Sequence, residues 1–182
     1  MTAIQKPDHE QPDSPEPTEP PHKKGPFAAA FIGALAIVVI WWSKPVVSFG
    51  FDPNDEKCLP DMHLSLMYHR TPTVLHGGDL VFWTPRAELA YVKQEFVMKQ
   101  VAGVAGDHVV IKDQKVFVNG QLKVSGLALA GLYHHTPAEL ERDELVPAGK
   151  VFVIGTHPNS DDSRYWGYLE VKSLDGVAFK LL

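Results

Sequence analysis

The sequence predicts a mainly β domain preceded by one N-terminal transmembrane helix. Two observations carry this expectation. Residues 27–42 hold no charged side chain. Beyond them, short runs of β-branched and aromatic residues recur between Gly, Asn and Pro punctuation, and no internal repeat is visible.

Residues 1–26 carry Pro7, Pro12, Pro15, Pro17, Pro20, Pro21 and Pro26 among many charges, and so read as a disordered tail. The sixteen uncharged residues from Phe27 to Trp42 stand near the short end of a membrane span, usually about 17–25. Ser43 and the stem of Lys44 extend the segment, and Trp41 and Trp42 suit the headgroup level. A cleaved secretory leader would want a short basic start and a small-residue cleavage site. Here a 26-residue tail comes first and Trp-Trp-Ser-Lys-Pro closes the segment, which therefore reads as a retained anchor. Lys23 and Lys24 before it, against Lys44 after it, favour a cytoplasmic N-terminus. The expected organisation is a tail at 1–26, an anchor at 27–44 and an extracytoplasmic domain at 45–182.

That domain reads mostly as strands. Leu80–Trp83 follows a His76-Gly77-Gly78-Asp79 turn, and residues 95–102 form an extended run with partial alternation. His108–Ile111 and Lys115–Val118 flank a short polar turn, and Asn119-Gly120 supplies a type I′ signal into Gln121–Val124. Thr136 to Leu145 reads as one short helix, with Thr136 as N-cap and Pro137 in the first turn. Val151–Ile154 is a further strand after Pro147-Ala148-Gly149. The fold class is a barrel-like or folded-over arrangement of many short strands.

A net charge of −5 leaves no basic footprint for nucleic acid. The single cysteine, Cys58, falls on the extracytoplasmic side, where it has no intramolecular disulfide partner. Asp52, Asn54, Asp55, Glu56 and Lys57 precede it, so it reads as an exposed thiol and a candidate nucleophile. A thiol needs a base to become a thiolate at neutral pH. His63, His69, His76, His108, His134, His135 and His157 are candidates, none with metal-type spacing. Lys99 is the stronger one. Period-2 alternation sets it on one face with Val97 and Val101, which desolvates it, and a neutral lysine accepts protons. The same pattern also fits a lysine that snorkels from an edge strand.

Near the C-terminus, Asn159-Ser160-Asp161-Asp162-Ser163-Arg164-Tyr165-Trp166-Gly167 packs carboxylates, hydroxyls and a guanidinium beside two aromatics. Every polar atom in such a run must be hydrogen-bonded or wet. Alone, it fits a well-satisfied surface turn in which Asp and Arg pair.

Two of these segments resemble the type I signal peptidase family, the S26-like serine/lysine peptidases. Phe96-Val97-Met98-Lys99-Gln100-Val101-Ala102-Gly103-Val104-Ala105-Gly106-Asp107 resembles the segment bearing the general-base lysine, with Gln100 and Ala105 in place of Arg and Pro. Ser160–Gly167 resembles the Ser-x-Asp-Ser-Arg-aromatic-x-Gly box, while Thr156 and His157 depart from the usual Gly-Asp-Asn. The resemblance covers residues 27–182 and implies folded antiparallel β-sheets behind one anchor. It also implies Lys99 as base, Ser163 orienting it, and Asp162 and Arg164 holding the loop. For the nucleophile, Ser65-Leu66-Met67 lies well before Pro72-Thr73-Val74-Leu75, so Ser65 needs an insertion to match the general peptidases. The conjugative-transfer, TraF-type branch carries Ser-apolar-Pro about twenty residues before Gly-Asp. Cys58-Leu59-Pro60 fits it, with Gly78 20 residues on and Cys at the nucleophile position.

The expectation is a Cys58–Lys99 endopeptidase in the bacterial inner membrane, with its catalytic domain periplasmic and Ser65 as the alternative nucleophile. Its partners are inner-membrane lipid and a secreted propilin or other presequence-bearing protein; no cofactor, metal or nucleic acid is implied. The substrate would lie along a sheet edge as an added strand. Two other readings stand beside it: a general type I signal peptidase, and a non-catalytic component of a conjugation or secretion apparatus.

Overall fold

The computed structural model describes residues 26–43, 46–51, 59, 62–85 and 96–182, with side chains of the first helix described at 31–40. The expected tail, apart from Pro26, lies outside these residues, as do Lys44 and Cys58. The chain divides into a unit ending at Ile40 and a unit from Trp41 to Leu182.

In the first unit, α1 (Pro26–Ser43) covers the uncharged stretch. Its side chains from Phe31 to Ile40 are exposed. Among the described residues no helix is long and apolar enough to cross a membrane. The stretch expected as an anchor at 27–44 is helical over Pro26–Ser43, and a membrane span is not shown among the described residues.

The second unit is mainly β, in two antiparallel sheets. Its strands are β1 (Val47–Phe51), β2 (Leu64–Tyr68), β3 (Leu80–Trp83), β4 (Val97–Val104), β5 (His108–Lys112), β6 (Lys115–Val118), β7 (Gln121–Ser125), β8 (Arg142–Leu145), β9 (Lys150–Ile154), β10 (Leu169–Glu170) and β11 (Gly176–Lys180). Seven form one sheet in the order β1-β2-β11-β3-β4-β9-β10, and four the other in the order β7-β6-β5-β8. The expected hairpins form where the turn residues demand them. Asp113 and Gln114 take φ of 49° and 59° between β5 and β6, and Asn119 and Gly120 take 51° and 78° before β7.

The helix expected at 136–145 is corrected. A 3₁₀ turn spans Pro137–Leu140, and the chain then extends into β8. Thr136 does begin the turn: the Glu139 carboxylate accepts its backbone N–H at 2.7 Å and its hydroxyl at 2.9 Å. Beyond Glu141 the backbone is claimed by β5, against which Arg142–Leu145 pair as an edge strand. That tertiary pairing overrides the local helical preference.

Strands β4 and β9 form a wall between two cores. Val151 and Val153 of β9 face one core with Val81, Trp83, Val97 and Val101, while Phe152 and Ile154 face the other with Val109, Ile111 and Val116. Burial on both faces explains why β9 reads as a continuous apolar run rather than an alternating one. In β4 the register shifts between Val101 and Gly103, a bulge that sends Ala102 into the second core.

One glycine is fixed by close approach. A Cβ on Gly176, at the start of β11, would run into the Tyr68 carbonyl and the Phe82 ring. Both belong to strands that β11 bonds to, so the neighbours have little room to yield. We expect Gly176→Ala to lower unfolding stability by about 1–3 kcal/mol, read from a urea midpoint shift at unchanged m.

Candidate active site

Lys99 sits in the middle of β4, and its burial follows the alternation of the strand. Val97, Lys99 and Val101 are buried while Met98 and Gln100 are half-exposed. Lys99 itself is 1% exposed, so it is not an edge-strand lysine snorkelling to water. Its Nζ donates to Ser160 Oγ at 2.8 Å, a contact between residues 61 apart in sequence.

The polar run that could pass for a surface turn is buried. Ser160, Asp162, Ser163 and Arg164 are each 0% exposed. The local reason is the open side of β9. Strand β10 pairs only with Lys150 and Val151, so the next outward N–H groups of β9 need other acceptors. Ser163 Oγ accepts from Val153 N–H at 3.0 Å, and Asp162 Oδ2 from Gly155 N–H at 3.0 Å. Two side chains thus continue the ladder where the strand ends. Asp162 also begins the short helix α2 (Ser163–Trp166), its carboxylate accepting Arg164 N–H at 3.2 Å.

The structure brings Asp162 and Arg164 into one buried ion pair. Arg164 Nε donates to Oδ1 and Nη2 to Oδ2, both at 2.8 Å. The rest of the guanidinium is spent on carbonyls: Nη1 on Gly126 at 3.0 Å and Nη2 on Ser160 at 3.1 Å. A bidentate pair with its spare donors used is the arrangement in which two buried charges become tolerable.

Ser160, which the sequence reading gave no role, is a serine to which Lys99 donates. The Ser163 hydroxyl accepts from the β9 backbone at Val153. Nothing about Ser160 separates it from Ser163 by residue type; the available signal was Asp162. An Asp that opens a short helix turns the residue after it toward the backbone and leaves Ser160 outside the helix.

Ser65 lies on the other face of the sheet from Lys99. Lys99 pairs with Val81, Val81 with Val177, and Val177 with Tyr68, so these four share a face. Ser65 is three residues before Tyr68 on β2 and points the opposite way. Three strand spacings add roughly 14 Å of separation. Its Oγ donates to Gly50 O at 3.3 Å instead. Among the histidines, His69 bonds Ser48 Oγ at 2.6 Å, His108 pairs with Asp143, and His157 Nδ1 accepts from Asn159 N–H at 3.2 Å. Cys58 lies outside the described residues.

A buried lysine held by a serine, beside a loop locked by an Asp–Arg pair, is equipped to move a proton inside a structure that excludes water. Residues 26–182 match the family described as "Signal peptidase, peptidase S26". The chain belongs to that family. It is 26% identical over 188 aligned residues to a signal peptidase I of Leptolyngbya laminosa, covering 91% of this chain and 88% of that protein. A probable signal peptidase I-2 of Synechocystis sp. is 30% identical over 56% of this chain and 45% of its own length. The thylakoidal processing peptidase 1 of Arabidopsis thaliana is 32% identical over 49% of this chain and 25% of its own. A crystal structure of a signal peptidase I from Enterococcus faecalis V583 aligns over 58% of this chain and 97% of that one, at 25% identity and a TM-score of 0.37. As a member of the signal peptidase family, this chain is a peptidase, a hydrolase of peptide bonds.

The two serines of the box are expected to fail differently. Ser163→Ala leaves the buried Val153 N–H unpaired and lowers stability by about 1–3 kcal/mol. Ser160→Ala keeps most of the stability and instead lowers kcat for peptide cleavage by about 10-fold or more. Arg164→Ala strands the Asp162 charge and costs about 3–5 kcal/mol in chemical denaturation.

Proposed function

We infer that the chain is a membrane-anchored endopeptidase of the conjugative-transfer branch, in which Lys99 is the general base for Cys58. The observation that carries this reading is the buried Lys99–Ser160 contact on the face of the sheet that Ser65 does not share. The spacing of Cys58-Leu59-Pro60 from Gly78-Asp79 supports Cys58 as the nucleophile.

In the proposed reaction the Lys99 amine takes the Cys58 proton, and the thiolate attacks the scissile carbonyl. Backbone N–H groups stabilise the resulting oxyanion. The C–N bond then breaks, and the Lys99 ammonium returns its proton to the leaving amine. Water attacks the thioester, with Lys99 again as base, releasing the new carboxylate and the thiol. An amine of the same substrate can intercept the thioester in place of water and close a cyclic product. Asp162, Ser163 and Arg164 support the site by fixing the loop that presents Ser160.

The proposed substrate is a secreted propilin or another transfer-apparatus protein, cut at the periplasmic face of the bacterial inner membrane. The uncharged stretch 27–42 and helix α1 support a single anchor in the lipid, and the lysine asymmetry supports a cytoplasmic N-terminus. A second reading, a general signal peptidase with broad presequence substrates, is favoured by the signal peptidase I proteins that the chain is similar to.

Alkylation of the single cysteine tests the dyad directly. Iodoacetamide is expected to modify Cys58 of the detergent-solubilised chain at neutral pH faster than it modifies Cys58 in Lys99→Ala. Cys58→Ala and Lys99→Ala should each lower propilin cleavage at least about 100-fold, while Ser65→Ala cleaves normally. Normal pilin maturation in a Cys58→Ala strain, read by mass spectrometry, overturns the nucleophile. Accumulation of many unprocessed secreted proteins on loss of the chain favours the general peptidase.

A further inference from the structure

We propose that Asp161 and Tyr133 are positioning residues for the active site, holding Ser160 in place to receive the Lys99 amine. The inference rests on Lys99 acting as the base. It starts from a feature the catalytic argument leaves unused: Asp161 and Asp162 are adjacent, yet they point apart. Asp162 faces inward to Arg164 and Gly155. Asp161 Oδ1 instead accepts the Tyr133 hydroxyl at 2.5 Å and the Trp166 indole N–H at 3.0 Å. Its second oxygen, Oδ2, is buried without a hydrogen-bond partner. A buried carboxylate oxygen left unpartnered costs stability. A residue present only for packing has no reason to carry that cost.

What Asp161 secures is the residue before it. Ser160 is fully buried and touches Lys99. On one side it is held by Arg164, which takes its carbonyl at 3.1 Å. On the other side it is held through Asp161, whose anchor Tyr133 comes from the 3₁₀ turn Ala130–Tyr133 in the connection from β7 to β8. Tyr133 cannot swing away freely. Its ring stacks on Tyr165 at 5.4 Å and 7°, and the Tyr165 oxygen accepts Leu129 N–H at 3.2 Å. Burial pushes the Tyr165 phenol above its ordinary value, so it remains neutral. The β7–β8 connection is therefore fastened to the lysine-bearing site at three points: Gly126 O, Leu129 N–H and the Tyr133 hydroxyl. Proton transfer tolerates little drift in such a contact, since a shift of about 1 Å costs on the order of 100-fold in rate.

The test uses the full chain in detergent with a presequence peptide, and compares Tyr133→Phe, Asp161→Ala, Asp161→Asn and Lys99→Ala. Tyr133→Phe and Asp161→Ala are expected to lower kcat about 10-fold at unchanged KM, well below each variant's Tm. Asp161→Asn retains the Oδ1 acceptor and should stay within about fivefold of the wild type. Unchanged kcat in Tyr133→Phe and Asp161→Ala, with only Tm lowered, overturns the proposal. So does a rise in KM at constant kcat, or Asp161→Asn as impaired as Asp161→Ala. Tyr133→Phe removes a single oxygen and keeps the test open if Asp161→Ala does not fold. A Lys99→Ala enzyme that still cleaves removes the base, and this inference falls with it; an inactive Lys99→Ala beside unaffected Tyr133 and Asp161 variants removes this inference alone.

Discussion

The buried ion pair between Asp162 and Arg164 is the constraint on which the site depends. Two opposite charges at 0% exposure are unfavourable unless each lone pair and each N–H is used. Here the carboxylate serves Arg164 and the β9 backbone at once, and the guanidinium collects carbonyls from Gly126 and Ser160. The pair thus joins the end of a central strand, the polar loop and the β7–β8 connection. Removing it would release Ser160 and expose the unpaired side of β9 in the same step.

The geometry around Lys99 grows from the wall between the two cores. Because both faces of β9 and the Lys99 face of β4 are covered, a polar side chain placed there must find a partner within the protein. Lys99 meets that demand with Ser160, and the open N–H groups of β9 meet it with Ser163 and Asp162. The loop is therefore both a structural edge and a site component. That double use explains why so polar a run is buried at all.

The sequence made some of this legible and hid the rest for physical reasons. Lys99's burial follows from its neighbours Val97 and Val101, and the I′ turn at Asn119-Gly120 follows from local backbone preference. β1, β2 and β11 went unread, since their side chains are mixed in exposure and β11 earns its place only by pairing with β2 and β3. The segment 136–145 misled because its cap was genuine while its continuation was claimed by β5. In the site, the ion pair could be suspected from Asp and Arg two residues apart. That Ser160 reaches Lys99 follows from the helix that Asp162 opens, since Ser163 lies inside it and Ser160 before it.

The sheet register also narrows what can serve Lys99. Cross-strand partners share a face, so parity along three pairings assigns Tyr68, Val177, Val81 and Lys99 to one side without any appeal to side-chain detail. A residue an odd number of positions from Tyr68 on β2 is turned away, and Ser65 is one. Turning it to the lysine's face would need a one-residue slip of β2, which would turn Met67 out of its buried contact with Phe82 and Ala178 and still leave the strands between. On the proposed role of Lys99 as base, its nucleophile comes from a segment outside that register. The proposed nucleophile, Cys58, precedes β2 in the sequence and lies outside the described residues.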